Sequence, residues 1–245
     1  DEKYMREGIM PVGNDRKLSF CVKKYGRQIR GLSFQVRSID GSSLVEDTPV
    51  ETFREEEDLL YADIVLKDLI DEKTEYCLVF KLELEDGQEV SYYTRVIQAE
   101  GYQAREKIGF VAEFSESTFR EDKLDDLRIY IEPNAEGDNS TLSHVTIHSS
   151  LSQIGWGTLE VEQATEPVFT IQDITEQTAA VTVEYLVSYM RFEKERYAAV
   201  KEVYRIRTGE ERIYLLDYDR QMCELFSEDP SSFLDDQVVL GVRDA

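Results

Sequence analysis

Tryptophan, histidine, cysteine and proline are all scarce in this chain: its 245 residues include one Trp, two His, three Cys and five Pro. Three scattered cysteines argue against a disulfide framework, and they lack the paired spacing of a thiolate metal site. No run of about 18 apolar residues occurs, so no segment is expected to cross a bilayer as a helix. Basic residues are in deficit, 28 Lys+Arg against 51 Asp+Glu for a net charge of -23. That balance disfavours broad contact with nucleic acid or anionic lipid, because both need cationic surface to displace counterions. Also missing are the Gly-x-Ser-x-Gly elbow, the Walker A loop, the dinucleotide Gly-x-Gly-x-x-Gly and His-Glu-x-x-His, which removes the usual marks of serine hydrolases, nucleotide enzymes and zincins.

What is present is enough to build a core: 41% hydrophobic and 11% aromatic residues, which exclude global disorder and allow one large domain or two ordinary ones. The chain opens on Asp1 and ends at Ala245, soon after the apolar Gln237-Val-Val-Leu-Gly-Val, so it reads as a segment of a longer polypeptide. The charge is uneven. Residues 1–98 carry 14 basic and 21 acidic groups (net -7), and residues 99–245 carry 14 and 30 (net -16). Within the first part, Arg16, Lys17, Lys23, Lys24, Arg27 and Arg30 form a basic stretch, followed by an acidic one from Glu46 to Asp58.

Period-two alternation dominates the first part: Leu18/Phe20/Val22, Leu32/Phe34/Val36, Ala62/Ile64/Leu66, Leu78/Phe80/Leu82/Leu84 and Val90/Tyr92/Thr94/Val96. Each run gives one apolar and one polar face, and Gly26, Asp40-Gly41-Ser42-Ser43 and Asp86-Gly87 supply turn chemistry between them. These strands, with no convincing helix among them, predict an antiparallel β-sandwich.

The segment Leu66-Lys-Asp-Leu69-Ile-Asp-Glu-Lys-Thr74-Glu-Tyr76-Cys-Leu78-Val-Phe80 resembles the E-to-F segment of fibronectin type III modules over about residues 14–98. The family carries a leucine, a short loop, Thr-x-Tyr and an alternating strand, and Asp86-Gly87 stands where its F–G turn would lie. The resemblance implies a tyrosine corner, in which Tyr76 buries its ring and ties its hydroxyl to upstream backbone. The usual Trp of strand B is absent, leaving Phe20 to fill that space. Alternation then turns both Cys21 and Cys77 outward, and the sandwich puts their strands in opposite sheets, too far apart for a disulfide.

After Ala99 the pattern changes. Leu124, Leu127 and Ile131 have helical spacing, whereas Ile108/Phe110/Ala112/Phe114 suits helix or strand, and Pro133 with the loop Asn134 to Thr141 ends any helix. Strands return at Val145/Ile147, Leu159/Val161, Val168 to Ile171, Val181 to Val187 and Tyr197 to Ile206. Ile213 to Asp219 and Met222 onward read as a hairpin. Residues 99–245 are therefore expected to form an α+β domain, with one or two helices on a curved antiparallel sheet.

Four features could carry chemistry. His144 and His148 stand four apart in Ser-His-Val-Thr-Ile-His-Ser, but on a strand they are about 13 Å apart, too far to share one zinc ion. Glu160 with Glu162, and Asp217 with Asp219, pair carboxylates on one strand face, as a glycosidase would need across a cleft, yet such pairs also arise on plain solvent faces. The loop Asn134 to Asn139 offers oxygen ligands for a hard cation, without the spacing of a calcium loop. Trp156, between Gly155 and Gly157, is expected to plug the core.

No catalytic, cofactor or metal residue is thus assigned. The expectation is a non-catalytic, extracytoplasmic structural or interaction segment of a larger bacterial surface or secreted protein. Its partner would be a protein or a cell-wall component, met at the basic face from Arg16 to Arg30 or near Gln98 to Tyr102. A carbohydrate- or peptidoglycan-active enzyme fragment and a sensory accessory domain regulating a membrane kinase are the alternatives.

Overall fold

A computed structural model of the chain describes residues 8–191 and 193–225, with two short strands at 233–234 and 237–238. The chain divides into two compact units between Gln103 and Ala104. It is mainly β with few helices, an α+β composition.

The first unit holds eight strands: β1 (Ile9–Val12), β2 (Lys17–Lys23), β3 (Ile29–Ser38), β4 (Leu44–Pro49), β5 (Arg54–Glu56), β6 (Leu59–Val65), β7 (Glu75–Leu84) and β8 (Glu89–Gln98). They form a five-stranded sheet in the order β1-β8-β7-β3-β4 and a three-stranded sheet in the order β2-β6-β5. All pairs are antiparallel except β1 with β8. The two sheets pack over two clusters: in one, β2 and β6 give Leu18 and Ile64, and β3, β7 and β8 give Phe34, Val36, Leu78, Phe80 and Val96, and in the other β6 gives Leu60 and Ala62 against Ile29, Leu32, Leu82 and Leu84 of β3 and β7. Burying each such side chain contributes about 1.5–3 kcal/mol, which fixes the register, because a slip of one residue would turn every one of them to solvent. Half-buried Phe20 packs on Phe80 with ring centroids 4.3 Å apart.

Tyr76 is buried at the start of β7, and its hydroxyl accepts the Asp71 N–H at 3.1 Å and donates to the Asp71 carboxylate at 3.3 Å. The loop entering β7 is thereby tied to the strand it feeds. All three cysteines are free. Cys77 corrects the sequence expectation: it lies on the outer face of the five-stranded sheet, as alternation requires, yet only 4% of it is exposed. Its cross-strand neighbours are Arg37 and Arg95, and Arg95 is itself buried and paired with Glu75 at 2.9 Å, so this part of the outer face is covered rather than open. Alternation fixes the face of a residue but not what its neighbours cover.

In the second unit α1 (Ala104–Ser117) and α2 (Glu121–Leu124) lead through a 3-10 turn to β9 (His144–Thr146), α3 (Leu151–Ile154), β10 (Val161–Gln163), β11 (Val168–Ile174), β12 (Thr178–Arg191), β13 (Lys194–Thr208) and β14 (Ile213–Glu224). The sheet runs β10-β12-β13-β14-β9, with β11 also on β12. The long helix covers the ambiguous residues 104–117, because Lys107, Val111 and Phe114 fall on one buried stripe. The stretch read as the better helix breaks into α2 and the turn at Asp125–Ile129, where Asp122, Asp125 and Asp126 are poor helix formers. A second correction concerns the end of the sheet: residues 213–224 are one strand, not a hairpin, because Tyr218, Arg220 and Met222 continue its buried alternation. The apolar run from Gln237 starts β16 (Gln237–Val238), paired with β15 (Phe233–Leu234), and its remainder lies outside the described residues.

Replacing Tyr76 by Phe keeps the ring and removes only its hydroxyl bonds. A loss of about 1 kcal/mol is expected, read in the full chain as a lowered urea midpoint by far-ultraviolet circular dichroism, and an unmoved midpoint would show that the loop is anchored otherwise.

Candidate functional site

Two places concentrate unusual chemistry, a sealed polar centre in the second unit and an open sheet edge in the first. The polar centre lies on the inward face of β13 and β14. There the series Ala198, Val200, Glu202, Tyr204, Ile206 places a carboxylate in a core position, and Tyr218, Arg220, Met222 places a guanidinium directly across from it. Both charged side chains have no solvent exposure. The Glu202 carboxylate accepts from Ser115 Oγ of α1 at 2.6 Å, Tyr204 OH at 2.9 Å and Tyr218 OH at 3.1 Å. Tyr185 turns its buried hydroxyl toward the same group without reaching bonding geometry. Arg220 donates to the carbonyls of Gln153 and Ile154 at 2.7 and 2.8 Å, and its guanidinium carbon lies 3.6 Å from the Trp156 ring centroid.

Trp156 is therefore a core plug, 2% exposed, with its indole N–H donating to Thr118 Oγ1. It adopts φ 72°, and Gly157 after it φ 61°, a left-handed bend that turns the chain away behind the ring. Lys107, buried on α1, donates to the carbonyls of Thr175 and Glu176 at 2.6 and 3.0 Å, and burial lowers its pKa. These groups staple α1 and α3 to the sheet. Both oxygens of Glu202 are occupied from within and neither charged side chain reaches solvent, so the centre ties these elements together behind the surface.

The residues singled out from sequence sit elsewhere. His144, on β9, pairs with Asp219 at 2.5 Å, and His148, in the turn after β9, has its Nδ1 2.9 Å from Asn134 Nδ2 and 3.0 Å from the Glu132 carbonyl oxygen, accepting from the first or donating to the second according to tautomer. Among the described residues no three His, Cys, Asp or Glu side chains gather as a metal would require. In the loop Asn134 to Asn139, Asn134 Oδ1 accepts the Glu136 N–H, Asp138 accepts the Ser140 N–H and hydroxyl, and Asn139 Oδ1 accepts the Ser150 N–H. Its oxygens are spent on its own turns. Gly137 is packed so closely that a Cβ would lie 2.2 Å from the His148 carbonyl oxygen. Glu160, Glu162 and Asp217 are exposed, and Asp219 is engaged by His144 and Gln221.

The open edge belongs to β2, which pairs only with β6 among the described residues. Lys24 N–H donates to the Asp58 carbonyl and Leu66 N–H to that of Arg16, so the even-numbered residues of β2 face β6 and the odd ones point their backbone groups away. A hollow of about 360 Å³ adjoins this edge, lined by Met10, Phe20, Val22, Tyr25, Phe80 and Tyr92. A second, of about 600 Å³, includes Cys21, Phe53, Arg54 and Tyr61, and a third, of about 250 Å³, runs on past Val22, Ile29 and Leu84. The expected basic face is not a free one. Arg16 pairs with Asp68, Lys24 with Glu55, Arg27 with Asp86 and Arg30 with Glu83, which leaves Lys17 and Lys23 without an acidic partner among the described residues, Lys23 lying over the Tyr25 ring.

The tyrosines of the sealed centre should report on pH. Burial, reinforced by the Glu202 charge, pushes Tyr185 and Tyr204 well above the ordinary phenol value of 10.0, and burial does the same to Tyr218 although Arg220 pulls it back. The folded phenols hold their protons where unfolded ones release them. Their contribution to stability is fully present below the unfolded value near 10 and is lost above it, by up to about 1.4 kcal/mol per pH unit for each such tyrosine. Urea midpoints followed by Trp156 fluorescence should drop steeply above about pH 10, and a flat profile would mean that the hydroxyls are solvated.

No family model matches the chain, and no curated protein matches it. Among solved structures, that of the sporulation control protein Spo0M from Bacillus subtilis aligns over 85% of this chain and 86% of its own at 11% identity, with a TM-score of 0.24, too low to assign a common fold.

Proposed function

We propose that the chain is a non-catalytic protein-interaction segment of a larger bacterial surface or secreted protein, working outside the membrane, with a fibronectin type III-like first unit. The observation that carries this reading is the contrast between the two sites: the convergent buried charges are sealed, whereas a hollow of about 360 Å³ adjoins a strand edge unpaired among the described residues and is lined mainly by aromatic and aliphatic side chains, with Lys23 and Thr94 beside them. Such an edge suits binding another chain better than chemistry. The type III-like assignment is supported by the hydroxyl tie of Tyr76 to Asp71 and by the division of the strands into β1-β8-β7-β3-β4 and β2-β6-β5. A glycoside hydrolase would need two carboxylates facing each other across a cleft. Glu160, Glu162, Asp217 and Asp219 line none of the three hollows.

Location is testable through the cysteines, since Cys21 and Cys223 are exposed and Cys77 is buried. A maleimide too polar to cross membranes, applied to intact cells carrying the natural polypeptide, is expected to label Cys21 and Cys223. Labelling only after lysis would contradict an extracytoplasmic site.

A further inference from the structure

We propose that β2 is an acceptor edge: it takes up an extended, antiparallel peptide strand that carries apolar residues at alternate positions and an acidic residue at each end. This rests on the interaction reading above and names the chemistry of the partner.

Three observations converge on it. The first is backbone valence. Ser19, Cys21 and Lys23 have N–H and C=O groups pointing away from β6 with no backbone partner among the described residues, whereas the Lys17 N–H is already taken by Asp15. The remaining edges of this unit are blunted by familiar devices. β5 is three charged residues long, β4 carries Glu46, Asp47 and Pro49, and β1 is four residues with Pro11 in it. β2 runs seven residues with no proline and no register shift.

The second is the space beside the edge. Residues added opposite Leu18, Phe20 and Val22 would point inward, and Phe20 and Val22 are only half-buried beside the hollow of about 360 Å³. That volume accepts a few aliphatic side chains. Tyr25, 76% exposed, and Tyr92, 47% exposed, stand at its rim, where ordering an aromatic ring costs little entropy and gains contact area.

The third is charge. Lys17 and Lys23 end the strand on its outward face without an acidic partner among the described residues, and Lys23 rests over the exposed Tyr25 ring. A second copy of this chain is a poor occupant, since full antiparallel overlap of β2 with itself sets each Lys17 opposite the other copy's Lys23, two like-charge pairs. Acidic residues at those two positions convert both pairs to attraction. The chain's net charge of -23 does not cancel this at contact, because charges beyond about 8 Å are screened at physiological salt.

The test uses the full chain and the blocked peptide Glu-Val-Thr-Val-Thr-Val-Glu, with Lys-Val-Thr-Val-Thr-Val-Lys as control. Saturable binding of the first peptide is expected, with slowed exchange at the Cys21 and Lys23 amides and at least about tenfold weaker binding of the control. Cys21→Pro removes an outward donor and no bond to β6, a position where edge strands tolerate proline, so it should keep the circular dichroism of the wild type while weakening binding about tenfold or more. Should that variant fold poorly, Lys17→Glu with Lys23→Glu is expected to reverse the preference between the peptides. Equal affinity for both peptides, binding unaffected by either variant, or a self-associated chain in sedimentation that Cys21→Pro dissociates would overturn the proposal. Because these measurements use purified protein, their failure leaves the extracytoplasmic reading standing, and the labelling of intact cells decides that separately.

Discussion

A sheet holds together only where its backbone N–H and C=O groups find partners, and both units are organised by how they meet that demand. In the second unit the long strands β12, β13 and β14 satisfy one another over most of their length, and short β9, β10 and β11 cover the outer sides. In the first unit β1, β4 and β5 are edges made short, charged or proline-bearing. β2 is the exception, long and regular with one side unpaired among the described residues. A strand taken up at that edge, as proposed, would complete its hydrogen-bond pattern.

The second unit meets a different constraint, the cost of a charge in the core. Removing Glu202 and Arg220 from water would be prohibitive if either stood alone. Each instead has fixed partners, three hydroxyls for the carboxylate, and for the guanidinium two carbonyls at its terminal nitrogens with the Trp156 face against it, only Nε being left without a hydrogen bond. Those partners come from α1, β13, β14 and the α3 segment, so the network positions helices on the sheet more specifically than apolar packing would. Its role is to specify the fold. The polar surface left for partners is correspondingly plain, with most charges of the basic stretch already neutralised in place.

The sequence made the strands legible because one buried face imposes period two, as in Leu78/Phe80/Leu82/Leu84, and Thr-x-Tyr pointed to the Tyr76 hydroxyl that ties the preceding loop at Asp71. It was a poorer guide wherever the answer depends on neighbours distant in the chain. Whether Cys77 is exposed depends on what covers the outer face of its sheet, and whether residues 108–114 coil is decided by the packing that buries Val111 and Phe114. The polar centre did leave a trace. Glu202 and Arg220 interrupt inward-facing apolar series at positions where a solvent face would not put them, and period-two phase could have marked both. The open edge of β2 left no such trace, since pairing partners are a property of topology rather than of local pattern.

Amide exchange in the free chain tests the central claim most directly, because the register of β2 on β6 assigns each amide a direction. Leu18, Phe20, Val22 and Lys24 should exchange slowly, and Ser19, Cys21 and Lys23 quickly, alternating along one strand. Uniform protection of all seven would mean that the edge is already covered, and the account of β2 as an acceptor strand would fall.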